Sequence, residues 1–176
     1  MKIILILITS LVFTVTGFAQ EVDTTVAVDF KIRNLGMNVD GHFDKTSITT
    51  NFTSQDISQW VLFGNVAVNT IDTDNQKRDT HLNSEDYFDS KTYPEIKIEA
   101  TNFKKTSKHK YDVTVNLTIK KTTQSIEVPM EIINNKDGIN LKAYFEINRL
   151  NFKVGESSFV MSNTVKINIR YTLKKE

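Results

Sequence analysis

The stretch Tyr111-Asp112-Val113-Thr114-Val115-Asn116-Leu117-Thr118-Ile119-Lys120 decides the fold. Its apolar residues fall on every odd position and its polar ones on every even position. That period of two sends successive side chains to opposite faces of a β-strand. An amphipathic helix would instead repeat its apolar residues at spacings of three and four. The even face is therefore expected to meet water, and the odd face a core.

The alternation spreads in both directions. Downstream, Ile126, Val128, Met130 and Ile132 share one face. The turn dipeptide Asp137-Gly138 then leads into Ile139, Leu141, Ala143, Phe145 and Ile147. Val165, Ile167, Ile169, Tyr171 and Leu173 form the last such run. Upstream, Ile96, Ile98 and Ala100 follow Pro94, Val66 and Val68 mark another strand, and Ile48, Thr50 and Phe52 another. Val26, Val28, Phe30 and Ile32 make the first, with Gly36 and Gly41 punctuating a turn region after it. The total is about eight strands, each with one wet and one apolar face. A sandwich or a closed barrel hides all such faces on one side. Only Asp72 to Thr92 breaks the pattern, because charge rises and alternation stops. A short helical insertion is expected around residues 74–92, with Asn83 or Ser84 as its N-cap ahead of Glu85 and Asp86.

The 176 residues suit one domain. Lys and Arg number 22 against 21 Asp and Glu, a net charge of +1. That balance argues against a nucleic-acid partner, which calls for a basic field that releases counterions from phosphate. Cysteine is absent, which removes disulfides, thiolate metal sites and cysteine nucleophiles together. Lys2, the apolar run Ile3 to Val15 and the small residues of Gly17-Phe18-Ala19 have the order of a signal peptide. Residues 1–19 are accordingly expected to be cleaved after Ala19, with residues 20–176 as the domain. The run is shorter than the about 20 apolar residues that span a bilayer. A periplasmic or secreted protein is expected, and not a lipoprotein, since no cysteine follows Ala19.

Candidate chemistry is sparse. His42, His81 and His109 are too far apart to present two imidazoles to one metal from a single element, so no metal and no cofactor is expected. Within Arg78-Asp79-Thr80-His81-Leu82, an Asp two residues before a His invites a general-base reading. No Gly-x-Ser-x-Gly or other nucleophile motif accompanies it. A hydrogen-bonded structural role for Arg78, Asp79 and His81 is the first expectation, ligand contact the second and hydrolysis the last. The 11 Phe fit either a packed core or an elongated apolar cavity, and periodicity leaves both open. Stable membrane insertion as an outer-membrane barrel is not expected. It would turn Lys31, Arg33, Asp112, Lys120, Glu127, Glu131, Lys142, Glu146, Lys166 and Arg170 into a narrow bore.

Four blocks carry a resemblance. Phe30-Lys31-Ile32-Arg33-Asn34-Leu35-Gly36 leads to Val39-Asp40-Gly41-His42-Phe43, and Ile71-Asp72-Thr73 leads to Arg78-Asp79-Thr80-His81-Leu82. Asp86-Tyr87-Phe88-Asp89 comes before Tyr93-Pro94, and Gly155-Glu156-Ser157-Ser158-Phe159 before Ser162-Asn163-Thr164-Val165. In this order the blocks resemble the YceI-like family of exported lipid-binding proteins, in the form common among Bacteroidetes. The resemblance implies a lipocalin-like, eight-stranded antiparallel β-barrel without a catalytic reaction. Its bore would take a long apolar chain, polyisoprenoid or fatty-acid-derived. Many members carry a His where Asn34 stands, an acid where Asn151 stands and an Asp where Asn163 stands, so these positions bear on head-group preference.

On that reading the walls are assigned to Phe30, Val66, Val68, Val115, Leu117, Val128, Met130, Phe145 and Ile147, and the mouth to Phe88 and Phe159. Arg78, Asp79, His81 and Arg149 form a polar motif, structural or near the ligand. A homodimer is compatible with an apolar rim at a barrel mouth. The alternative is a barrel filled by its own side chains, serving as a structural or stress-associated interaction module. A hydrolase using Asp79 and His81 ranks below it.

Overall fold

Among the described residues the alternating runs become ten antiparallel strands of one curled sheet. The computed structural model describes residues 24–52 and 56–174, so the expected signal peptide lies outside the described residues. The strands are β1 (Thr24–Asn34), β2 (Met37–Phe43), β3 (Thr46–Asn51), β4 (Val61–Ala67) and β5 (Ile71–Asp72). After an insertion come β6 (Glu95–Ser107), β7 (Lys110–Ile119), β8 (Thr122–Asn135), β9 (Gly138–Asn148) and β10 (Met161–Lys174). Their spatial order is β3-β4-β6-β7-β8-β9-β10-β1-β2-β5. The C-terminal half of β1, Asp29 to Asn34, pairs with β2. Its N-terminal half faces β3, where Thr46 Oγ1 donates to the Val26 carbonyl at 3.2 Å. The sheet thus curls back on itself as a barrel, hiding the apolar face of every long strand.

The sequence pattern suggests eight strands, and the two added ones have local causes. The segment around Gly41 reads as a turn region, yet β2 runs straight through it. Gly41 stands opposite Phe30, and a Cβ there would come within 2.3 Å of the Phe30 ring. The glycine makes room for an aromatic side chain and bends nothing. The actual turn is Leu35-Gly36, both with positive φ, as a tight two-residue hairpin requires. β5, only two residues long, adds to the free edge of β2.

The helical insertion expected around residues 74–92 exists, but its helix begins ahead of the Asn83 or Ser84 cap read from sequence. Helix α1 spans Gln76–Leu82, and the Asn75 side chain accepts from the Arg78 backbone N–H at 3.0 Å. Asn83, read from sequence as an N-cap, instead ends the helix. Both asparagines satisfy the composition rule for caps, but only Asn75 has the extended backbone of an N-cap, with φ −151° and ψ 99°. Residues 83–93 continue as turns, tied by Phe88 N–H to the Leu82 carbonyl (3.0 Å) and Asp89 N–H to the Ser84 carbonyl (2.8 Å). They press Tyr87 and Phe88 against the barrel core.

Candidate functional site

Strand register sets how far along the barrel each inward side chain lies. At one level Tyr111 stands opposite Met130 and Val113 opposite Val128. Met130 in turn faces Ala143, Ile132 faces Leu141, and Leu141 faces Tyr171. Val113, Val115 and Val128 are fully buried there. Rings close this end: Trp60 lies 4.9 Å from Phe52, 5.7 Å from Phe103 and 5.2 Å from Tyr111, measured between centroids. Aromatic contacts at these spacings fill volume that aliphatic walls alone would leave.

Further along the same strands the interior opens. Phe30 stands opposite Ile167 and Ile167 opposite Phe145, while Val165 joins Ile32 to Ile147. On the other side Leu117 meets Ile98, and Ile98 meets Gly64, which brings no side chain to this level. These residues line a cavity of about 180 Å³. The lining is apolar almost throughout, with Asn34, Ser47, Asn65, Thr73, Arg78 and Arg149 as the polar residues.

The structure brings together some of the residues assigned from sequence and separates others. Phe30, Val66, Leu117, Phe145 and Ile147 line the cavity, and Phe88 joins them from the insertion. Val115, Val128 and Met130 point inward as their parity requires, but at the level of the filled end. Val68 lies beyond the end of β4, in a 3-10 turn over Val68–Thr70, and is buried away from the cavity. Phe159 is fully exposed on the loop before β10. Beside it Val160 accepts from the Leu35 backbone N–H at 2.8 Å, and Leu35, Met37 and Val160 are also exposed. Residues missed from sequence include Ile71, Leu82, Tyr87, Ile96 and Ile119, all cavity-lining. Ile96 and Ile119 belong to alternating runs that fixed their parity, whereas Leu82 and Tyr87 come from the stretch without periodicity.

The polar motif divides into separate parts. Arg78 donates from Nε to Thr73 Oγ1 (2.7 Å) and from Nη2 to the Thr73 carbonyl (2.6 Å). The Asp79 carboxylate accepts from the same hydroxyl and from the Thr73 N–H, at 3.1 Å for the latter. Thr73 is buried, so Arg78 and Asp79 act together to satisfy it and fix α1 to the end of β5. His81 takes no part. Its side chain is exposed, with Nε2 3.9 Å from the Asp86 carboxylate and the ring edge-on to Tyr87. No dyad joins Asp79 to His81. Among the described residues no group of three His, Cys, Asp or Glu is arranged to hold a metal.

Arg149 follows β9 and is 4% exposed. It donates from Nε to the Ser162 carbonyl (3.0 Å) and from Nη1 to the Val154 carbonyl (2.9 Å). Nη2 serves the Glu156 carbonyl (2.8 Å) and Asn163 Oδ1 (3.1 Å). Burial pulls its pKa below the ordinary arginine value, with Tyr87 opposing that shift. Gly155 permits this packing, since a Cβ there would meet the Tyr87 ring at 2.8 Å and Arg149 Nη1 at 3.1 Å. Its φ of +64° also favours glycine.

With this geometry in view, the sequence matches the YceI-like domain over residues 18–173. The chain belongs to the YceI-like family. A UPF0312 protein of Photorhabdus laumondii is 31% identical over 107 residues, 60% of this chain and 55% of that protein. The chain thus spans little more than half the length of the curated relatives it matches. Among solved structures, BcnA of Burkholderia cenocepacia superposes with a TM-score of 0.78 at 22% identity, covering 84% of this chain and 95% of that one. A domain from Saccharophagus degradans, described as polyisoprenoid binding, superposes with a TM-score of 0.71 at 13% identity. That match covers 88% of this chain and 97% of the domain. At such identities the likeness establishes the shared YceI barrel.

Proposed function

We propose that this YceI-like protein is an exported carrier that holds one long apolar chain, polyisoprenoid or fatty-acid-derived, in the open half of its barrel. The observation that carries this reading is the cavity wall, in which Val28, Phe30, Ile98, Leu117, Phe145 and Ile167 converge from strands all around the barrel. Each methylene moved from water into such a wall contributes about 0.8 kcal/mol, so a dozen carbons supply roughly 10 kcal/mol before ordering costs. The polyisoprenoid-binding description of the Saccharophagus degradans domain, which has the same fold, agrees with that chemistry. Export agrees with the family and with the signal-like residues 1–19. A binding role in place of catalysis fits the engagement of Asp79 by Thr73 and the separation of His81 from it.

Native mass spectrometry of protein purified from its own periplasm tests the reading. A co-purifying lipid, removable with solvent and replaced by added farnesol or dodecanol, is the expected outcome. Protein that carries no lipid and takes up neither alcohol would overturn it and leave the filled-barrel module as the better description.

A further inference from the structure

We propose that Arg149, which lines the cavity just beyond the end of β9, forms an anion-binding site there, so that the protein selects lipids with a carboxylate or phosphate head. The inference rests on the carrier reading above and adds the head-group class to it.

Among the described residues two arginines, Arg78 and Arg149, line the cavity, and they differ in how their charge is balanced. Arg78 shares Thr73 Oγ1 with the Asp79 carboxylate, so a negative group lies one hydroxyl away. The hydrogen-bond partners of Arg149 among the described residues are three carbonyl oxygens and one side-chain amide oxygen. Among the described residues no carboxylate pairs with it. A charge removed from water without a counter-charge is costly, and that cost falls when an anion arrives.

The group is also ready to receive one. Its four hydrogen bonds fix the guanidinium plane, so little side-chain freedom remains to be lost on binding. Nη1 carries two hydrogens and uses one, on the Val154 carbonyl. A second polar lining residue lies close by. Asn34 pairs with Met161, the residue before Ser162, whose carbonyl Arg149 holds. A chain lying along Phe145 and Ile147 would therefore bring its head to Arg149, which follows the same strand.

Binding of chain-matched pairs at neutral pH tests the proposal, with dodecanoate against dodecanol for a carboxylate head and farnesyl phosphate against farnesol for a phosphate. Charge-assisted hydrogen bonds in a dry site predict the anion to bind about tenfold tighter or more in at least one pair. The preferred pair then identifies the source of the head. Because Arg149 anchors a loop, its removal could unfold the chain, and Asn163→Asp is the sharper variant. It places a carboxylate where Asn163 Oδ1 now sits 3.1 Å from Nη2, giving the guanidinium an internal counter-ion. In the variant the ratio of anion to alcohol affinity should fall to near unity in both pairs. Equal binding of acid and alcohol by the native protein would overturn the head-group site and leave the carrier reading intact. An anion preference that survives Asn163→Asp would exclude Arg149 as its origin. Failure of all four ligands to bind would overturn the carrier reading itself.

Discussion

The two halves of this barrel are built from the same strands and residue types, yet one is filled and the other lines a cavity. β7 gives Val113 and Val115 to the filled half and Leu117 and Ile119 to the open one. β9 divides likewise, with Leu141 and Ala143 on one side and Phe145 and Ile147 on the other. Most of the wall is apolar in both halves, although the polar lining residues, Arg78 and Arg149 among them, all border the open one. What differs is the volume arriving from across the bore: Phe52, Phe103 and Tyr111 gather around Trp60 at one end, while Gly64 brings none to the other. A cavity in a barrel of this size is decided by the residues opposite a wall more than by the wall itself.

Truncation offers the largest contrast. Phe52→Ala removes a fully buried ring from the aromatic cluster and should cost about 3–5 kcal/mol, read from urea unfolding. Ile167→Ala, in the open half with fewer atoms packed against it, should cost about 1–2 kcal/mol. Equal losses would mean that the halves are packed alike.

Enlargement reverses the contrast. Val128→Phe forces extra volume into the filled half and should destabilise by about 1–3 kcal/mol. Ile167→Trp can extend into the cavity, so its cost should stay below about 1 kcal/mol while binding of dodecanol falls at least about tenfold. A large loss of stability from Ile167→Trp would show that the open half has no room for it.

The smallest effect is confined to alkaline solution. Burial holds the Tyr111 phenol above its ordinary pKa. Above about pH 10 the unfolded chain ionises at this residue while the folded chain keeps its proton. The stability linked to Tyr111 is complete below that pH and is lost as pH rises beyond it. Tyr111→Phe should therefore flatten the decline in urea midpoint above about pH 10. Parallel declines in both proteins would assign the effect to another group.

The sequence exposed parity along the strands but not height along the barrel. Phe145 and Val128 both lie on apolar faces of clean alternating runs, and nothing in those runs says that one borders the cavity and the other does not. Register across four or five strands makes that distinction, and it depends on turns and bulges such as the shift between Ala100 and Asn102. Phe159 shows a second limit. Outside periodic segments a large apolar residue can face solvent as readily as a core, and here it is exposed beside Val160. Asn75 and Asn83 show a third, since both suit a helix cap by composition and only backbone conformation separates them.

The amino-acid sequence by itself determined an all-β chain with an apolar interior and a charged exterior, because side-chain alternation is a local property of an extended backbone. It also determined which chemistries are missing, since a chain without cysteine cannot perform thiol chemistry. Only the tertiary structure decided that the interior is half filled and half open, that Asp79 serves Thr73 and not His81, and that Arg149 lies buried at the cavity without a carboxylate partner among the described residues. Each of these depends on residues far apart in the chain meeting in three dimensions, and no local period carries that information.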